Sequence, residues 1–206
     1  MPVPAGMAGH PDTLHWNARY GPGFVASFAV HPLAARALAM SLPAGPVLEL
    51  ACGPSGSALA AAAAARAVTA VDCSDVALGL LAGEAERRGL AGLITPVHAD
   101  LAAWSPEPGR YALVLCTGYW DGTVFGRAAR VVAAGGLLAW EGLTTAARRA
   151  RPGLPAAWCL GPGEPATLLP PGFAVLDQRD QPGSEPGSRR AMLARNIAPW
   201  PGPASA

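Results

Sequence analysis

The chain has 206 residues, 51% of them apolar and 14% charged, with a formal net charge of +1. That length suits one domain with a full core, on the scale of about 100–200 residues per domain. The near-neutral charge gives no footprint for nucleic acid or an anionic membrane surface. All 15 Lys+Arg residues are arginine, which excludes a Schiff-base lysine, a Walker-A phosphate loop and the strand lysine of a protein kinase.

Residues 1–12 are Pro/Gly-rich and read as a loose arm, residues 13–198 as the folded domain, and residues 199–206 as a Pro-rich tail. Within the domain, Thr13–Tyr20 and Pro32–Met40 are predicted helices. Val47–Ala51 is a short apolar strand, followed by the turn Gly53-Pro54-Ser55-Gly56 and an Ala-rich helix over Ser57–Ala65. Ala67–Val71 is a second strand ending at Asp72. Ser74 is placed to N-cap a helix running to Arg88, with Gly89 as its stop. Leu93–His98 and Tyr111–Cys116 are strands three and four, and Val124–Ala133 is a helix ending at Gly135-Gly136. Leu137–Glu141 is strand five; Phe173–Gln178 and Ala191–Asn196 follow, joined by a turn over Pro182–Gly187.

Strands alternating with helices predict an α/β domain with a seven-stranded, mostly parallel sheet, helices on both faces, and one antiparallel strand. The last two strands must pair antiparallel, because their link is too short for a parallel crossover. No apolar run approaches the ~20 residues of a membrane span. No basic residue precedes Arg19 and the four cysteines are far apart, so reduced thiols and a cytoplasmic location are expected. The Ala-, Arg- and Pro-rich usage points to a GC-rich bacterial source.

The informative segment is Val47–Ala60, a strand, a glycine turn and a helix. Gly53 and Gly56 permit a sharp turn and a close backbone approach, and the helix behind them aims its first amides at a ligand. Asp72 closes the second strand nineteen residues after Gly53, and an acid at about that spacing hydrogen-bonds ribose hydroxyls. Together these predict a nucleoside cofactor.

Across residues 13–197 the chain resembles the class I S-adenosylmethionine-dependent methyltransferases, in the small bacterial type related to tellurite-resistance methyltransferases. The resemblance rests on His15-Trp16-Asn17-Ala18-Arg19-Tyr20, Glu49-Leu50-Ala51-Cys52-Gly53, Val71-Asp72, His98-Ala99-Asp100-Leu101, Cys116-Thr117-Gly118 and the final hairpin. It implies a Rossmann-like fold that binds S-adenosyl-L-methionine. By that resemblance Glu49 orients the loop and the cofactor's amino-acid end, Gly53 and Gly56 pass the methionyl-ribose, and Asp72 takes the ribose hydroxyls. Asp100 and the Leu101 amide take the adenine, Trp16 and Arg19 cover the site, and Cys73 and Cys116 lie beside the cofactor. Ser55 occupies the slot of the family's second glycine, which puts the loop path in question.

Methyl transfer needs in-line positioning and exclusion of water more than a dedicated base. If a base acts, the candidates are Tyr119, Trp120 and Asp121 after the fourth strand, Glu141 ending the fifth, and His15 or His31 near the entry, with Tyr119 and Asp121 favoured. The acceptor is a small molecule, either a metabolite or a metalloid or chalcogen oxyanion, under a roof formed by the first helix and residues 151–165. No resident metal is expected, since the cysteines read as buried thiols. Three rival readings compete with this one. A non-catalytic methyltransferase-like binding or regulatory domain fits the displaced glycine. An NAD-dependent oxidoreductase lacks the G-x-G-x-x-G pattern. A serine hydrolase built on Ser55 lacks a suitably late histidine.

Overall fold

The computed structural model describes residues 6–106, 108–181 and 188–198. Five strands run parallel: β1 (Val47–Leu50), β2 (Val68–Asp72), β3 (Ile94–His98), β4 (Tyr111–Thr117) and β5 (Val132–Leu143). β7 (Arg189–Asn196) lies antiparallel between β5 and β6 (Phe173–Asp180), so the sheet order is β3-β2-β1-β4-β5-β7-β6. The expected turn at Pro182–Gly187 and the tail from residue 199 lie outside the described residues.

Alternation along the strands sorts the core into two layers. Val47, Leu113, Leu115, Leu137 and Ala139 face α2 (Pro32–Leu38), α3 (Gly56–Ala63) and α4 (Asp75–Arg87). Leu48, Leu50, Val114, Leu138 and Trp140 face the opposite way, toward α5 (Gly122–Arg130). Helices therefore cover both faces of a sheet whose central strands are buried on both sides, as parallel strands require. Among the described residues, no helix is long and apolar enough to cross a membrane.

The path from β1 through β2 to β3 winds toward one edge, and the chain then returns to place β4 on the other side of β1. The switch point between β1 and β4 opens a crevice at the carboxyl ends of the strands. Over that crevice lies α1 (Pro11–Arg19), which starts two residues before the predicted boundary because His10 caps it and Pro11 occupies its first turn.

One element differs in kind from its prediction. The sequence pattern runs the helix from Val124 on to Ala133, but α5 ends at Arg130 and β5 begins at Val132. Asp121 caps the helix early, with Val124 N–H donating to its Oδ1 at 2.8 Å. The β-branched Val132 then pairs with Tyr111, and Gly135 at φ +75° bends β5 where the ladder to β4 shifts register. Helix period and strand period are indistinguishable over so short an apolar run.

Candidate functional site

β1 ends one residue early because Ala51 takes φ +49° and Gly53 takes φ +55°. Glycine adopts that region freely, whereas an alanine there costs about 1–2 kcal/mol. Ser55 has φ −87° and ψ 119°, ordinary extended backbone, and caps α3. Its Oγ accepts from the Ser57 and Ala58 amides at 3.0 and 2.9 Å and donates to Glu49 Oε2 at 2.7 Å. The missing second glycine is therefore no obstacle: Ser55 serves as the cap, and the backbone cost falls on Ala51.

Gly56 has a different purpose from the one expected. A Cβ there would lie 2.3 Å from the Phe28 carbonyl oxygen and 2.4 Å from that of Ala29. The glycine lets the segment before α2 pack on the start of α3, away from the crevice. Glu49 is buried beneath the turn, and burial pushes its pKa up to about 8 despite the Ser55 hydrogen bond. At neutral pH it is mostly a neutral acid.

Asp72 organises the other side of the turn. Its Oδ2 accepts from the Gly53 amide at 2.7 Å and its Oδ1 from the Ser74 amide at 2.8 Å. The carboxylate thus joins the glycine turn to the start of α4, where Ser74 Oγ accepts from Ala77 N–H as predicted. Burial raises the Asp72 pKa against the pull of the two amides. The neighbouring Cys73 thiol also hydrogen-bonds this carboxylate, whose two oxygens together offer about four acceptor sites.

A cavity of about 260 Å³ occupies the crevice, close to the ~300 Å³ lower end of small-molecule pockets. Its floor is Ala51, Asp72 and Cys73, with Asp100 and Leu101 at the end of β3. Thr117, Gly118 and Tyr119 form the β4 side. Asp12, Trp16 and Tyr20 come down from α1, and Arg189 enters from β7. Tyr119 is held by its backbone, since the buried Trp140 indole donates to its carbonyl at 3.0 Å. Burial, and then the charge of Asp121, push the Tyr119 phenol well above its usual pKa.

The cover is fastened at Asn17. Its Oδ1 accepts from Ser74 Oγ and its Nδ2 donates to Asp75 Oδ1, both at 2.7 Å. Trp16 stacks on Tyr20 with ring centroids 5.7 Å apart. The Tyr20 hydroxyl stands over the turn, 3.1 Å from where a Gly53 Cβ would be. Burial and the nearby Asp72 push its pKa up to about 12.

Of the residues singled out from sequence, Trp16, Asp72, Cys73, Asp100, Leu101 and Tyr119 line this one cavity. Gly53 and Glu49 support it from behind. The others fall elsewhere. Arg19 lies over the Phe24 ring, 5.3 Å from its centroid, on the outside of α1. Cys116 is fully buried in the sheet, Gly56 packs against backbone, and the Asp121 carboxylate is taken by the α5 cap. Residues 151–165 contribute nothing to the lining. Instead Cys159 and Leu160 are buried, and Leu160 N–H donates to the Leu143 carbonyl at 2.7 Å. Asp12 and Arg189 carried no local signal. Asn17 was visible only as part of a motif.

Residues 47–136 match a family model described as a methyltransferase domain. Three solved structures illustrate the fold similarity. TehB from Haemophilus influenzae is 15% identical, with 90% of this chain and 67% of that one covered at a TM-score of 0.66. The CcbJ methyltransferase from Streptomyces caelestis is 16% identical over 88% of this chain and 96% of that one, at 0.64. Geranyl diphosphate C-methyltransferase from Streptomyces coelicolor A3(2), in complex with Mg2+, geranyl diphosphate and S-adenosyl-L-homocysteine, is 14% identical over 80% and 75%, at 0.61. No curated protein matches the chain in sequence.

Proposed function

We propose that this chain is a class I S-adenosylmethionine-dependent methyltransferase, a reading supported by the methyltransferase-domain match over residues 47–136, and that it delivers the methyl group to a small molecule, a metabolite or an oxyanion, held under α1. The observation that carries this reading is one cavity at the β1/β4 switch point with Asp72, Asp100 and Tyr119 on its walls. The residues fit the cofactor: a carboxylate stands at the end of β2, and the left-handed turn at Gly53 lies beside it under the Tyr20 hydroxyl.

Bound there, S-adenosyl-L-methionine supplies an electrophilic methyl on a positively charged sulfur. Asp72, pinned by two amides, accepts from the ribose hydroxyls without reorganising. Asp100 is braced by the Ala102 amide at 2.9 Å on Oδ1, and with the Leu101 backbone it takes the adenine edge. Glu49 and Ser55 stiffen the loop from behind. Trp16 and Tyr20 close over the top, exclude water and offer aromatic faces to the cation.

Tyr119 is the catalytic residue in this reading. Its raised pKa makes it a hydrogen-bond donor that orients the acceptor, and no base at neutral pH. Asp121 caps α5 through Oδ1 and is not among the residues lining the cavity. The carboxyl ends of β4 and β5 then supply position, and in-line geometry supplies the rate.

Calorimetric titration with S-adenosylmethionine, S-adenosylhomocysteine and NAD tests the reading. Micromolar binding of the first two without NAD is expected; binding of NAD alone would overturn it. Formation of S-adenosylhomocysteine in the presence of acceptors separates the enzyme from a binding domain.

A further inference from the structure

We propose, resting on the methyltransferase reading above, that Arg189 recognises an anionic oxygen group on the methyl acceptor, so that the substrates are small carboxylates or oxyanions. Among the described residues lining the cavity, Arg189 is the one basic side chain, and the other charged members are Asp12, Asp72 and Asp100. It sits at the far end from the proposed nucleoside contacts. β2 and β7 are separated by β1, β4 and β5, roughly 19 Å at the ~4.8 Å spacing of strands. Because β7 runs antiparallel, its first residue lies at the edge where the parallel strands end, opposite Leu143. Arg189 therefore faces the space beyond β4, where the acceptor must lie.

The guanidinium is built in. Glu141 pairs with Ala191 across the β5–β7 ladder, which puts Arg189 on its diagonal, on the same face. Arg189 Nη1 donates to Glu141 Oε1 at 3.2 Å. His31 Nε2 lies 3.5 Å from that same oxygen, and its Nδ1 is occupied in capping α2. The Glu141 side chain is 6% exposed and that of Arg189 43%. The carboxylate thus orients the arginine from behind, and the guanidinium, with its five N–H donors, belongs to the cavity lining. Burial works against the Glu141 charge, but His31 and Arg189 outweigh it and hold the pKa below the ordinary value, so the orienting charge persists at neutral pH. A planar N–H fork held at a fixed angle matches a carboxylate or oxyanion.

Calorimetry on the full chain saturated with S-adenosylhomocysteine tests this, with benzoate, its neutral isostere benzamide, and selenite as probes. Benzoate or selenite should bind at least about tenfold more tightly than benzamide. Benzoate without selenite identifies organic carboxylates, and the reverse identifies inorganic oxyanions. Arg189→Gln should abolish the preference and leave affinity for S-adenosylhomocysteine within about twofold, which also shows that the variant folds; Arg189→Lys should keep part of it. Equal binding of benzoate and benzamide with no selenite binding overturns the proposal. So does a preference that survives Arg189→Gln, or a loss of S-adenosylhomocysteine affinity as large as the loss of the anion, which would assign Arg189 to the cofactor. Failure of the wild-type chain to bind S-adenosylhomocysteine at all would strike the methyltransferase reading itself.

Discussion

Glu49→Gln should stabilise the protein at alkaline pH and do less and less as the pH falls. Glu49 is 3% exposed, and burial raises its pKa from 4.5 to about 8 in the fold. Below pH 4.5 the folded and unfolded chains both carry the proton, so the group contributes no difference. Between 4.5 and about 8 the unfolded chain releases it while the folded chain keeps it. Stability therefore declines across that window as the pH rises, and levels off above it. One pH unit is worth about 1.4 kcal/mol, so the loss over the whole window is on the order of 5 kcal/mol. The substituted glutamine keeps an oxygen for Ser55 Oγ, which donates at 2.7 Å in the wild type, and it does not titrate. Urea unfolding of both proteins at about pH 5, 6, 7 and 8 measures the difference directly. The variant's advantage should grow by several kcal/mol from the first pH to the last. A difference that stays constant within ~1 kcal/mol would mean that Glu49 is ionised throughout, and that the loop rests on a charge rather than on a neutral acid.

Asp72→Ala should cost about 3–6 kcal/mol of stability, because the Gly53 and Ser74 amides both lose a charged acceptor. Thermal unfolding by circular dichroism measures it; a loss under ~1 kcal/mol would show that water replaces the carboxylate freely. If the variant remains folded, its affinity for S-adenosylhomocysteine should drop about ten- to hundredfold. Ala51→Gly relieves an αL alanine at φ +49°, and after glycine's entropic cost a gain of about 0.5–1 kcal/mol should remain. A lowered urea midpoint would contradict that account. Asn17→Ala removes both 2.7 Å contacts that fasten the cover. Stopped-flow dissociation of S-adenosylhomocysteine should quicken about tenfold, while α4 keeps its Ser74 cap; an unchanged rate would mean that α1 is held by its aromatic contacts alone.

The local features of this chain are written in short stretches of sequence. Ser74 caps α4 and Gly53 turns the chain after β1, because capping and left-handed backbone depend on a residue and its near neighbours. Asp72 could be placed for the same reason: a strand–turn–helix–strand unit of fixed length brings its last residue back to the turn. Tertiary structure decided whatever depends on residues distant in the chain. Gly56 looked like a ligand-facing glycine, yet it is small because the Phe28 and Ala29 carbonyls press on it. Asp121 looked like an acid beside the reaction, yet it is committed to a helix that starts earlier than the apolar pattern suggested. Arg189 was one arginine among fifteen until the antiparallel β7 set it diagonally across from Glu141. Sequence spacing specifies which elements form. The contacts between elements, set by packing and strand order, determine which side chains share the cavity.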